Sequence, residues 1–513
     1  MMNNRFLTFS DRLLRGAIAA VIFGALPLGG ATAFANSIDN VSDAASVTGH
    51  EAVKSASAVK NGAASGADGV TSTSVSGEAV AKSTPAAPVA LRNEAALRPA
   101  ALADTAGFRK FRFGGYGEMI AEFKDYGINR FDGTSTGNAR THRNTVSIPR
   151  FVLALDYKFT PKWILGAEIE FESGGVGSAV ELENSENGEY ETEIEKGGEV
   201  ALEQFHITRL IHPAFNVRVG HLIVPVGLTN SHHEPINFFG TRRPEAETKL
   251  IPSTWHETGL AFFGSFGKRK AQFDYQLMVV AGLNANGFDR DEWVIGGKEG
   301  VFENDNFTSP GYVARLDYVG VPGLRIGWSG YYCRDAGSNS DKQHTYSSIG
   351  RIPVAITTFD AQWRSSLITA RGNLTYGYVG NAAGVSEINR MLSNKSPYSR
   401  LVPVAKNAIS YGAELGVNLR KAIGGDFPVI YPFARYEYYN PQYRGQGKQN
   451  MDKRLEVSQW QFGLNWFALP NLVVKADWTG RQIGTAKVFG KGDYNSENEF
   501  ALGVAYVGWF IKK

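Results

Sequence analysis

The sequence predicts an all-β protein, a transmembrane antiparallel β-barrel of about 16 strands, from three observations. Apolar and polar residues alternate with a period of two from Phe108 onward. The connections between alternating runs are short and long in turn, and aromatic residues gather at both ends of the runs.

The alternating region begins only after two segments of other character. Arg5, Arg12 and Arg15 precede the apolar run "GAIAAVIFGALPLGG" and the small residues Ala33–Ala35, so residues 1–35 read as a secretory signal peptide. Residues 36–107 are rich in Ala, Ser, Val and Gly and poor in aromatics. They carry too little apolar surface to offset ordering, and read as a disordered periplasmic extension. Residues 108–513 form the barrel. The single cysteine, Cys333, excludes a disulfide framework. A mean hydropathy of −0.22 is too polar for a helical membrane protein. A net charge of +3, without a basic block, gives no argument for nucleic acid.

Within the barrel, Phe111, Phe113, Met119, Ala121 and Phe123 oppose Arg112, Tyr116, Glu118 and Glu122. Phe151, Leu153, Leu155, Tyr157 and Phe159 oppose Arg150, Asp156 and Lys158. Trp163, Leu165, Ala167, Ile169 and Phe171 then oppose Glu168, Glu170 and Glu172, a carboxylate face that requires water. Carried through, the pattern gives strands near 110–124, 145–159, 163–172, 199–210, 215–227, 256–266, 271–282 and 311–319. The second half gives 324–333, 353–363, 367–379, 408–419, 428–439, 457–467, 471–480 and 499–510. The runs at 199–210, 256–266 and 353–363 alternate poorly.

Short turns such as Thr160–Lys162, Gly267–Lys270 and Ala468–Pro470 alternate with long segments at 125–144, 173–198, 228–255, 283–310, 334–352, 380–407, 440–456 and 481–498. Short periplasmic turns and long outer loops are the habit of outer-membrane barrels. Phe159, Trp163, Tyr318, Trp363, Trp466 and Phe467 lie by the short turns. Phe171, Tyr332, Tyr378, Tyr438 and Trp478 lie by the long ones. In "GLNWFALPNLVVKADW", Leu464, Trp466, Val474 and Trp478 share the lipid-facing parity, and Lys475 and Asp477 the wet one. A closed sheet leaves no unpaired edge in hydrocarbon.

Three stretches carry a family resemblance. "GLNWFALPNLVVKADW", "YPFARYEYYN" and "VGHLIVPVGLTN" resemble the phosphate-selective porin O and P family of outer-membrane porins, over roughly residues 108–513. The resemblance implies a 16-stranded, usually trimeric, water-filled barrel with its third long loop folded inward. Here that loop is 228–255, with His232, His233, Arg242, Arg243 and Lys249 as expected constriction residues. The chain departs from the family's basic ladder. Its expected lumen residues mix Arg150, Arg218, Arg315, Arg325, Arg371 and Lys475 with Glu168, Glu170 and Asp477, so phosphate selectivity is not carried over.

The functional expectation is therefore a bacterial outer-membrane porin. Small polar or anionic solutes would diffuse passively past loop 228–255, with Arg242 and Arg243 as leading contacts. The expected partners are outer-membrane lipid, lipopolysaccharide and two further copies of the chain. No phosphate loop, zincin helix or nucleophile elbow is present, so neither an enzyme nor a cofactor is expected. Adjacent His232 and His233 do not share a face, and no metal site is expected from them. The alternative reading is an occluded structural or adhesin-type barrel.

Overall fold

The structure, a computed structural model, describes residues 108–125, 142–184, 190–252, 254–298, 304–393, 402–484 and 494–513. The expected signal peptide and the 36–107 extension lie outside the described residues. Each strand pairs antiparallel with its chain neighbours, and the last returns to the first, closing a 16-stranded barrel. The strands of the first half are β1 (Phe111–Asp125), β2 (His142–Thr160), β3 (Trp163–Asn184), β4 (Tyr190–His212), β5 (Phe215–Ile223), β6 (His256–Lys268), β7 (Ala271–Val280) and β8 (Gly311–Tyr318). Those of the second half are β9 (Leu324–Cys333), β10 (Val354–Arg364), β11 (Ile368–Val379), β12 (Asn407–Val417), β13 (Val429–Arg444), β14 (Val457–Leu469), β15 (Leu472–Gly484) and β16 (Tyr494–Lys512).

The expected parity holds on most strands because each side chain has only two places to go. On β14 and β15, Leu464, Trp466 and Trp478 are exposed outward, whereas Lys475 and Asp477 are buried inward. Outward apolar side chains recur around the wall, among them Met119, Phe151, Phe205, Leu277, Ile326, Phe359, Leu415, Phe462 and Leu502. Such a band on a closed sheet meets lipid, since water would leave it among the largest exposed apolar patches a protein can carry. The chain is an outer-membrane β-barrel.

Four expectations change. The segment 173–198 was expected as a loop, but β3 and β4 run on through it to Asn184 and from Tyr190. Phe467 was expected at the lipid interface and instead points inward, packing with Tyr431, Val473 and the loop residue Phe239. It directly follows Trp466, and adjacent strand residues cannot share a face. The third change concerns β4, where a register shift between Glu168 and Ile169 inserts one extra residue and reverses the phase of alternation.

The fourth concerns the interior, which is not wet throughout. Inward residues at the long-loop ends of β7 to β11, including Val280, Val313, Tyr331, Cys333, Val354, Ile356 and Val379, form one apolar cluster. Trp255, Phe288, Trp293, Tyr346 and Ile388 from the long connections pack onto it. This dry lid explains why β10 alternates poorly, since Val354 and Ile356 are as apolar as the outward Phe359.

Candidate functional site: the loop across the lumen

Residues 224–255, between β5 and β6, fold into the barrel and carry two single-turn helices, α1 (Leu228–Ser231) and α2 (Glu245–Thr248). Irregular backbone inside a barrel needs partners for its N–H and C=O groups, and the wall supplies them. On β8, Arg315 donates to the carbonyls of Pro225 (3.3 Å) and Gly227 (3.0 Å). Ser329 of β9 accepts from the Gly227 N–H at 3.1 Å. Arg371 of β11 donates to the Asn237 carbonyl (2.9 Å) and the Thr229 hydroxyl (2.8 Å). Glu437 of β13 accepts from the Ala246 N–H (3.0 Å), and Asp477 of β15 from the Thr241 N–H (2.7 Å).

Lys475 makes the densest single anchor. Its ammonium donates to the carbonyls of Pro235 (2.5 Å), Phe238 (3.2 Å) and Gly240 (2.6 Å). Three acceptors match its three protons, which is how a fully buried lysine is tolerated. Within the loop, the Glu247 carboxylate accepts from the N–H groups of Leu228 and Thr229 and ties its two helical turns together.

Behind the loop, Arg315 and Arg325 form a four-membered network with Asp317 and Asp360, all with fully buried side chains. Arg315 lies 2.9 Å from both Asp317 oxygens and from Oδ2 of Asp360. Two positive and two negative charges cancel, so the network withstands burial. Gly327 of β9 makes room for it. A Cβ there would lie 2.6 Å from Arg315 Nη2 and from Asp317 Oδ1, and 2.7 Å from Asp360 Oδ1.

The expected constriction residues separate. Arg242 is the more open of the arginine pair; its guanidinium pairs with Glu122 of β1 and lies 4.0 Å from Glu499 of β16. With Glu245, Arg435, Gln461, Thr479 and Arg481 it lines a narrow charged recess. Arg243 is buried, and its Nε donates to the His233 carbonyl at 3.2 Å. His232 packs against Arg325, and burial beside that guanidinium pushes its pKa well below the ordinary histidine value. Burial, with Arg243 next to it, pushes His233 down to about 3. Lys249 is exposed. Burial would raise the Glu245 carboxyl, but Arg481, within hydrogen-bonding distance, outweighs it and holds Glu245 at about 2.

The expected lumen residues all face inward, in two groups. Arg315, Arg325, Arg371, Lys475 and Asp477 hold the loop or the network behind it, as described above. Arg150, Glu168, Glu170 and Arg218 lie on the opposite wall. There Arg150 is 3.4 Å from both Glu118 and Glu170, and Arg218 donates to Thr208 at 2.8 Å. Sequence reasoning missed Glu203, which the β4 bulge brings inside, and Glu122 and Glu499 as partners of Arg242. The charge of β1 was visible, but its pairing with a loop about 120 residues away was not.

No family model matches the chain. An uncharacterized protein of Aquifex aeolicus (strain VF5) is 24% identical over 375 residues, covering 71% of this chain and 74% of its own length. Among solved structures, Salmonella typhi OmpF in complex with daunomycin has a TM-score of 0.45 at 10% identity, covering 77% of this chain and 97% of its own. The outer membrane channel DcaP of Acinetobacter baumannii also has a TM-score of 0.45 at 10% identity, covering 79% and 100%. The trimer form of in-vitro folded Vibrio cholerae OmpT has a TM-score of 0.39 at 9% identity, covering 78% and 100%. Values this low do not place the chain in a family, and the fold rests on the chain's own strand pairing.

Proposed function

We propose that this barrel is a porin that lets small hydrophilic or ionic solutes diffuse passively past the loop at 224–255. The observation that supports it is the inserted loop itself, tied at its backbone to strands from β8 to β15 and leaving a charged recess beside Arg242. A channel needs no chemistry beyond a narrow, charged, water-accessible constriction, because field lines focus between low-dielectric walls. Arg242 is the solute contact in this reading. Its paired glutamates keep the ionic preference weak. Phosphate selectivity is not part of the proposal, although the motif resemblance to the phosphate-selective porin O and P family is consistent with a porin. So is assembly as a homotrimer in a lipopolysaccharide-containing membrane.

A second reading is favoured by one observation. Arg315, Arg325 and Lys475 are at most 2% exposed and a dry lid covers β7 to β11, as in a barrel whose lumen is occluded. Single-channel recording of the refolded protein in a planar bilayer separates the two. Discrete conductance steps support diffusion. A correctly folded, heat-modifiable barrel that never conducts supports the occluded structural role.

A further inference from the structure

On the wall facing the loop, three side chains from distant parts of the sequence converge. One ligand-capable atom from each of Glu168 (β3), Glu203 (β4) and His233 (the loop) lies within 4.8 Å of the others. We propose that Glu168, Glu203 and His233 bind a divalent transition-metal cation of the zinc type, clamping the constriction loop to the β3–β4 wall.

The first support is a carboxylate with nothing to neutralise it by hydrogen bonding. Glu203 is fully buried, and neither of its oxygens has a hydrogen-bond partner. Arg150 lies 3.4 Å from Glu118 and from Glu170, and the Nε of Arg243 donates to the His233 carbonyl. A buried, unsatisfied carboxylate costs several kcal/mol unless a cation or a proton neutralises it, and a metal ion would do so while also engaging the facing His233 nitrogen.

The second support is the orientation of His233. Its Nδ1 lies 3.1 Å from the Asn230 carbonyl, which can only accept, so Nδ1 carries the proton and Nε2 presents a lone pair. That Nε2 is buried without a partner and faces Glu203 Oε1 at 3.8 Å. Two acceptors face each other with no donor between them. A backbone carbonyl behind the distal nitrogen is the usual arrangement around a metal-bound histidine.

The third support is the bulge. Glu168 pairs with Gln204 and Ile169 with Leu202, which leaves Glu203 as the extra residue of β4. Val200 and Phe205 both face outward although four residues, an even number, lie between them. In unbroken alternation from Phe205, Glu203 would point into lipid; the bulge turns it inward beside Gln204, whose amide donates to Glu168. Ligands about 2.0–2.2 Å from a tetrahedral zinc ion lie about 3.3–3.6 Å apart, so the side chains close by up to about 1.3 Å from their 4.8 Å envelope when the ion enters. One imidazole and two carboxylates suit zinc and its neighbours better than calcium or magnesium, which take oxygen ligands. Three protein ligands leave a position for water or a solute atom.

The test uses the refolded, chelator-treated full barrel without an affinity tag, titrated with zinc chloride and counted by mass spectrometry after dialysis. One zinc per chain is expected, with affinity falling at least tenfold in Glu203→Gln and in His233→Gln and unchanged in His212→Gln. Cobalt(II) substitution reads the site independently and should give the visible absorption of a four- or five-coordinate ion. Heat-modifiable mobility confirms that each variant is folded. Absence of stoichiometric zinc in the folded wild type would overturn the site, as would zinc retained by both folded variants. Failure to bind would mean that a proton on Glu203 meets the His233 lone pair instead.

Discussion

Arg242 and Arg243 are neighbours in the chain with different surroundings. Both border the recess, but the Arg242 side chain is 40% exposed, whereas Arg243 is buried and donates to the loop backbone. Arg242→Glu should therefore move the reversal potential under a potassium chloride gradient toward cations, by about twofold in permeability ratio for one focused charge reversal. Arg243→Glu should instead place a further carboxylate near Glu168 and Glu203 and weaken the loop's anchorage. Glu245 adds a pH dependence whose sign follows from its pKa of about 2, below the ordinary 4.5. Its pairing with Arg481 contributes fully above about pH 4.5 and is lost as pH falls toward 2. Conductance noise should grow across that window, and Glu245→Gln should show the noise already at neutral pH. Little of this was legible in the sequence. Parity put Lys475 and Asp477 inside, but which inward charges meet the loop depends on how the loop lies across the lumen.

Among elements, the loop and the bulged strand departed most from the sequence reading, and both for local reasons. A period-two pattern identifies a strand only while its phase is kept. One inserted residue at Glu203 breaks that phase in β4, and apolar inward residues beneath the lid blur it in β10. The loop's inward course was implied by resemblance, not by its own composition. Its anchors give a test at this scale. Lys475→Met removes the donor shared by three carbonyls and leaves them without that partner. The variant should still close its barrel, because Asn465–Lys475 pairing is a backbone matter, but should show larger or more variable single-channel steps. Steps identical to wild type would mean that the loop is held without Lys475. Gly327→Val tests the network behind the loop. Its side chain would displace the Arg315–Asp317–Asp360 contacts, and breaking a buried ion pair costs about 3–5 kcal/mol, readable in urea unfolding.

For the whole molecule, closure and the outward band follow from the same alternation, which is why the barrel was the most legible feature. Every strand satisfies its neighbours' backbone groups, so the membrane meets only side chains, and their cost depends on depth. Val504 of β16 faces outward between Val474 and Met119, four residues from Phe500 and six from Phe510, the aromatics that mark the two ends. Ser458 lies on the outward parity of β14, one residue from the strand's first position. Val504→Arg should cost about 2–4 kcal/mol near the bilayer midplane, and Ser458→Arg about 0–1 kcal/mol near the interface. Equilibrium urea unfolding in phosphatidylcholine vesicles, followed by tryptophan fluorescence, measures both. The contrast matters more than either value. If the two arginines cost the same, the outward band does not sense depth, and its apolar residues do not mark a membrane span. If only Val504→Arg is costly, the level of Val504, Val474 and Met119 lies near the midplane, which fixes how deep the constriction loop sits below the outer surface.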